Sequence, residues 1–133
     1  MGLGSGDGVR KQFHFWPSDQ GLMAWDVDRL IELSRDFPRV WVPLDSISEL
    51  DQVYWFDDDE EQPTCRKVLQ HVRLIGKADL AYPIILFADG RVMDGMHRVA
   101  KALLEGLDTI EAVRFETDPE PDYIGRKPSE LPY

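Results

Sequence analysis

The residues Asp94-Gly95-Met96-His97-Arg98 set a carboxylate, an imidazole and a guanidinium around a glycine, at the point where an apolar run gives way to a helical repeat. A strand through Met93 that turns at Asp94-Gly95 would enter a helix near Met96. The first N–H groups of a helix have no partner inside it and lie at the positive end of its dipole, so such a turn binds anions, phosphate above all. Gly95 lets a ligand approach the backbone closely. Arg98 offers forked donors to phosphate oxygens, and His97 a further hydrogen bond. Two cations in a first helical turn oppose the dipole, a cost that an anionic ligand or Asp94 would offset. The same residues also fit a structural turn, with Asp94 capping the helix and Arg98 paired to a surface carboxylate. Pattern alone leaves both readings open.

The elements that must position this turn follow from periodicity. A first helix is expected from Asp26, a suitable cap, to about Asp36, with Met23, Val27, Leu30, Ile31 and Phe37 as its apolar stripe and Pro38 ending it. Val40, Val42 and Leu44 share one face of a strand, and Pro43 points to an edge or to a place where the ladder is interrupted. An irregular stretch, residues 45–62, holds the trio Tyr54-Trp55-Phe56, which could line a ligand pocket but is expected rather to pack over the core edge. The acidic run Asp57–Glu61 lacks calcium-loop spacing and reads as a solvated loop.

A second helix starts at Thr64. Cys65, Val68, Leu69, Val72 and Ile75 are its expected inner face, Arg66, Lys67, His71 and Arg73 its outer one, and Gly76 its C′ residue. Pro83 to Phe87 reads as a buried strand, Asp89-Gly90 as a tight turn and Arg91–Met93 as the returning strand. Met96, Val99, Ala100, Leu103 and Leu107 then mark a third helix that ends at Gly106, and Thr109–Phe115 a final strand. Residues 1–12 read as a Gly-rich tail, 13–115 as one domain and 116–133 as a Pro-rich arm able to dock on the domain or on a protein partner. Strands separated by helices, with one hairpin, make a mixed α/β sheet.

Composition narrows the chemistry. The 133 residues carry a formal charge of −10, which opposes DNA binding because phosphate contacts need clustered Lys and Arg. The single cysteine, Cys65, excludes an internal disulfide and a multi-cysteine zinc site, and no metal centre is expected from motif spacing. No apolar run reaches the ~20 residues of a membrane span, and no leader-like run opens the chain. A reducing, cytoplasmic setting with no membrane partner is the expectation.

In order and spacing, Pro83-Ile84-Ile85-Leu86, the Asp89-Gly90 turn, Asp94-Gly95-Met96-His97-Arg98-Val99-Ala100-Lys101-Ala102 and Gly106 resemble the core of the ParB N-terminal and sulfiredoxin superfamily. Its hallmark is a strand, a Gly-x-His-Arg or Gly-x-x-Arg turn and an alanine-containing helix. Val42-Pro43-Leu44 is similar to its first strand, and Lys67-Val68 through Gly76 to the helix before its Pro-Ile strand, so the resemblance spans residues 40–115. It implies an α/β (α+β) fold with a small mixed sheet and flanking helices. It also implies a site for ATP or CTP, with Mg²⁺, or for a small phosphorylated ligand. Asp94, Gly95, Met96, His97 and Arg98 would hold the phosphates there, and Lys67 matches an assisting basic residue on the preceding helix.

Departures from the family pattern prune its activities. Met96 stands where sulfiredoxin chemistry needs a cysteine. Only 18 residues follow Phe115, too few for the DNA-binding and dimerisation regions of partition proteins. Where sulfiredoxins carry a phosphate-holding arginine, this chain reads Asp45-Ser46-Ile47-Ser48-Glu49-Leu50-Asp51. Those carboxylates are similar to the base of the family's serine kinase, so Glu49 or Asp51 is expected as base or Mg²⁺ ligand, with His97 and Arg98 stabilising phosphate charge. The implied function is nucleotide phosphate binding with phosphoryl transfer or phosphate-ester hydrolysis. The alternatives are a non-catalytic nucleotide-sensing or protein-interaction module, a domain that has kept the fold without the ligand, and a ParB-like nuclease that the acidic charge disfavours.

Overall fold

In the computed structural model, residues 12–56 and 62–133 are described; the acidic run at 57–61 and residues 1–11 of the expected tail lie outside them. The fold is mixed α+β, with two small sheets and three helices among the described residues. The chain divides into two units, one formed by Met1–Asp36 with Thr117–Tyr133 and the other by Phe37–Glu116.

The first unit begins with a hairpin that the periodicity reading passed over, β1 (Phe13–Ser18) against β2 (Gly21–Asp26). Pro17 is tolerated there because β1 is an edge strand, paired only with β2 among the described residues. The segment read as an arm supplies β7 (Tyr123–Ile124), antiparallel to β2. Polar contacts hold it there. Trp25 Nε1 donates to Pro119 O at 2.8 Å, and Asp122 Oδ2 accepts from Asp26 N at 2.7 Å and pairs with Arg29 at 3.1 Å. Phe13 meets Tyr123 and Tyr133 edge-on. Helix α1 (Val27–Ser34) starts where expected, with Asp26 accepting from Asp28 N.

The second unit is built on a four-stranded sheet ordered β3-β6-β4-β5, with β3 (Val40–Pro43), β4 (Ile84–Leu86), β5 (Val92–Asp94) and β6 (Thr109–Arg114). β3 is an edge strand, as Pro43 requires, and β4 is interior and buried along its length. β4 runs antiparallel to β5 and parallel to β6, which makes the sheet mixed. Helix α3 (Met96–Leu104) lies between β5 and β6 in sequence and packs on β4 and β6. It ends in a Schellman motif, with Gly106 N donating to Leu103 O and Leu107 N to Ala102 O.

Three expected helix faces are corrected. In α1, Ile31 of the expected stripe is exposed and Met23 belongs to β2. The buried residues of α3 are Met96, Val99 and Ala102, whereas Leu103 and Leu107 of the expected stripe are exposed. Helix α2 (Cys65–Lys77), capped by Thr64 as expected, has no buried residue. Its expected inner residues Cys65, Val68, Leu69 and Val72 are exposed, and Gly76 lies inside the helix rather than after it. Periodicity shows that a face is apolar, not what covers it. Here α2 packs against α3 through another face. The core beneath is formed by Leu44, Ile47, Ile84, Leu86, Val92, Met96, Val99, Ala102, Ile110 and Ala112, with Tyr54 and Trp55 packed against it. No described helix is long and apolar enough to cross a membrane.

Candidate functional site

The site assembles where β5 hands over to α3. Asp94 ends β5, and Gly95 takes φ +107° as the N-cap of α3, a backbone region that L side chains rarely adopt. A Cβ at this position would lie 2.7 Å from Ile84 Cγ2 and 2.8 Å from Arg98 Nη2, so a side chain is excluded twice over. The glycine supplies no side-chain cap, unlike Asp26 and Thr64 at the other helices. Asp94 does not fill that role either. Its Oδ2 accepts from Arg98 Nη2 at 2.9 Å, one helical turn on, and Nη2 also donates to Pro83 O at 3.3 Å. The guanidinium is thereby held across Gly95, and its Nε is buried with no acceptor among the described residues. Asp94 thus offsets part of the cost of a cation at a helix N-terminus, which sequence reasoning had assigned to either this carboxylate or a ligand.

His97 belongs to a cluster that the sequence did not announce. Its Nε2 lies 2.8 Å from Nδ1 of His71 on α2, so the two imidazoles share a proton, one ring nitrogen donating and the other accepting. The Trp55 indole covers both rings, with centroids at 4.5 Å from His71 and 4.6 Å from His97 and planes within 17° and 12°. Phe56 closes on His71 edge-on at 5.3 Å. Burial first, then the neighbouring His71 and Arg98, lower the pKa of His97 from 6.5 to about 4. Near neutrality His97 is therefore an uncharged hydrogen-bonding group, and positive charge at this turn rests on Arg98 and the helix dipole.

The remaining expected residues are placed differently. Lys67 stands one turn before His71 on the same face of α2, half-buried. This corrects the roll of the helix, since His71 and Lys67 had been assigned to its outer side. Met96 is buried in the core, which leaves only its backbone facing the turn's helix start. Glu49 is 5% exposed, and its Oε2 accepts from Val92 N at 2.6 Å, beside the start of β5. That carboxylate closes a backbone position of the strand leading to the turn. Asp51 is exposed at the end of the 3-10 turn Ser48–Asp51. Among the described residues no group of three or more His, Cys, Asp or Glu side chains is arranged to hold a metal ion.

Trp55 and His71 were the residues missed. The only sequence signal for them was indirect, an aromatic trio ahead of the helix and a histidine four residues after Lys67. In chemical terms the arrangement offers helix amides without a side-chain cap, one fixed guanidinium and a hydrogen-bonded imidazole pair under an indole, with His97 uncharged near neutrality. Searched against known proteins, the chain matches no family model, no curated protein and no solved structure.

Proposed function

We propose that this chain is a nucleotide-binding module of the ParB/sulfiredoxin-like kind, holding the phosphates of an ATP- or CTP-type ligand at Gly95–Arg98 and sensing the nucleotide rather than transforming it. The observation that carries this reading is the start of α3. The helix begins on a left-handed glycine with no side-chain cap, and Arg98 is fixed across it with a buried Nε that has no acceptor among the described residues. Backbone amides at the positive end of a helix, joined by a guanidinium, fit a phosphate group. The strand, turn and helix occur in the order that the resemblance requires.

The binding reading is favoured over the catalytic one by Glu49. A base must reach the proton it removes, whereas this carboxylate is buried and committed to Val92 N. His97, with its pKa lowered to about 4, is a weak base.

Calorimetry of the full chain with ATP, ADP, CTP and GTP, with and without Mg²⁺, tests the proposal. One nucleotide is expected to bind and to be recovered chemically unchanged. Saturation at ~100 times Kd raises stability by about 2.7 kcal/mol. Arg98→Gln is expected to weaken binding at least tenfold and Arg98→Lys less. Absence of binding by every nucleotide overturns the phosphate site, and turnover of the bound nucleotide overturns the sensing role.

A further inference from the structure

We infer that the exposed stripe of α2, bordered by cations, is a docking surface for an acidic amphipathic helix of a protein partner. The stripe consists of Cys65, Val68, Leu69 and Val72, at the i, i+3, i+4, i+7 spacing of one helix face. Cys65 is exposed, as are Val68 (40%), Leu69 (60%) and Val72 (54%). None of the 13 residues of α2 is buried. A helix of that length is marginal in water by itself and draws most of its stability from burying an amphipathic face. The contacts that fix α2 use a different face and its C-terminal end. They include His71 on His97 and under Trp55, and Lys101 Nζ donating to Gly76 O and Ala78 O at 3.2 and 2.7 Å.

Charge selects the occupant. α2 contains Arg66, Lys67, Arg73 and Lys77 and no Asp or Glu, in a chain of formal charge −10. Arg66 lies three residues before Leu69, Arg73 four after it and Lys77 four after Arg73, so these cations border one edge of the stripe. No ion pair among the described residues uses Arg66, Arg73 or Lys77. A second copy pairing α2 on α2 about a twofold axis would bring these cations together. An anionic bilayer would attract α2 but, as an extended surface, would also face the rest of the acidic chain, whereas a single helix meets only the cation-bordered stripe. An acidic amphipathic helix meets both requirements, its apolar face on the stripe and its carboxylates along Arg66, Arg73 and Lys77. The inference does not depend on the nucleotide reading.

The test uses the full chain and two synthetic amphipathic peptides with the same leucine face, one flanked by Glu and the other by Lys. Binding is read by fluorescence anisotropy, alongside sedimentation equilibrium of the chain and flotation with phosphatidylcholine–phosphatidylglycerol vesicles. The Glu peptide is expected to bind at least about tenfold tighter than the Lys peptide at low salt, a gap that narrows as salt screens the charges. The triple change Arg66→Glu, Arg73→Glu, Lys77→Glu should invert that preference. Leu69→Asp with Val72→Asp should abolish binding and leave Tm unchanged. Equal or absent binding of the two peptides overturns the inference. So does self-association, or vesicle flotation, that disappears in the Leu69→Asp, Val72→Asp variant, and so does a lowered Tm of that variant, which would mean the stripe packs within its own chain.

Discussion

Replacing Gly95 by alanine tests the geometry on which the site rests. At φ +107° an L-residue is strained, by about 1–2 kcal/mol. The new methyl would sit 2.7 Å from Ile84 Cγ2 and 2.8 Å from Arg98 Nη2, and forcing it into packed surroundings costs about 1–3 kcal/mol more. The reduced freedom of the unfolded chain returns about 0.4–1 kcal/mol. The net loss is near 3 kcal/mol on the sum of those terms. Gly76 supplies the control. It lies inside α2 with nothing within 4 Å of an added Cβ, so Gly76→Ala should stabilise by about 0.5–1 kcal/mol. Urea unfolding at unchanged m-value measures both variants. Tryptophans report on both units, Trp16 and Trp25 on one and Trp41 and Trp55 on the other. Hydrogen exchange across residues 84–102 therefore assigns the loss to the β4–β5–α3 region. A Gly95→Ala protein as stable as the parent would refute the left-handed turn and, with it, the placement of Arg98 across Gly95.

Two further outcomes follow from the same structure. Glu49→Ala leaves the buried Val92 N–H without its acceptor, and loss of a hydrogen bond to a charged group costs about 2–3 kcal/mol, measurable by urea unfolding. A change below 0.5 kcal/mol, taken as about the scatter of surface substitutions, would show that Glu49 is available for other chemistry. For His97, the folded-state pKa near 4 lies below the ordinary 6.5, so the unfolded chain binds the extra proton between those values. Its contribution is complete above pH 6.5 and is lost as the pH falls toward 4, amounting to up to about 3 kcal/mol. In stability–pH curves for the parent and His97→Gln, the difference between them should shrink across that window. Parallel curves would contradict the buried neutral imidazole.

Local signals made much of the second unit legible. Pro43 pointed to an edge or an interrupted ladder and the continuous apolar run at 83–87 to a buried strand, because a strand's neighbours dictate whether it can lack a donor or bear polar faces. Thr64 marked where α2 begins, and Gly106 where α3 ends, through hydrogen bonds that short side chains and left-handed backbone make locally. The β1–β2 hairpin was not legible in the same way. Its edge position, which accommodates Pro17, comes from the pairing of β2 with residues near the other end of the chain.

The Asp94–Arg98 turn shows the division most clearly. Residue types alone determined that a glycine, a guanidinium and an imidazole would meet at a helix start, since i to i+4 spacing and a Gly at a strand–helix junction are local properties. Tertiary structure decided how each is used. Arg98 was given to Asp94 and Pro83 O, Glu49 was spent on Val92 N, and His97 was made neutral by burial beside His71 and Arg98. It also decided the roll of α2, turning His71 toward α3 and leaving the apolar stripe outside. Hydrophobic periodicity carries the angular separation of two faces but not their direction in space. That direction is set by which neighbour offers the better partner, here an imidazole and an indole that lie 26 and 16 residues away from His71 along the chain.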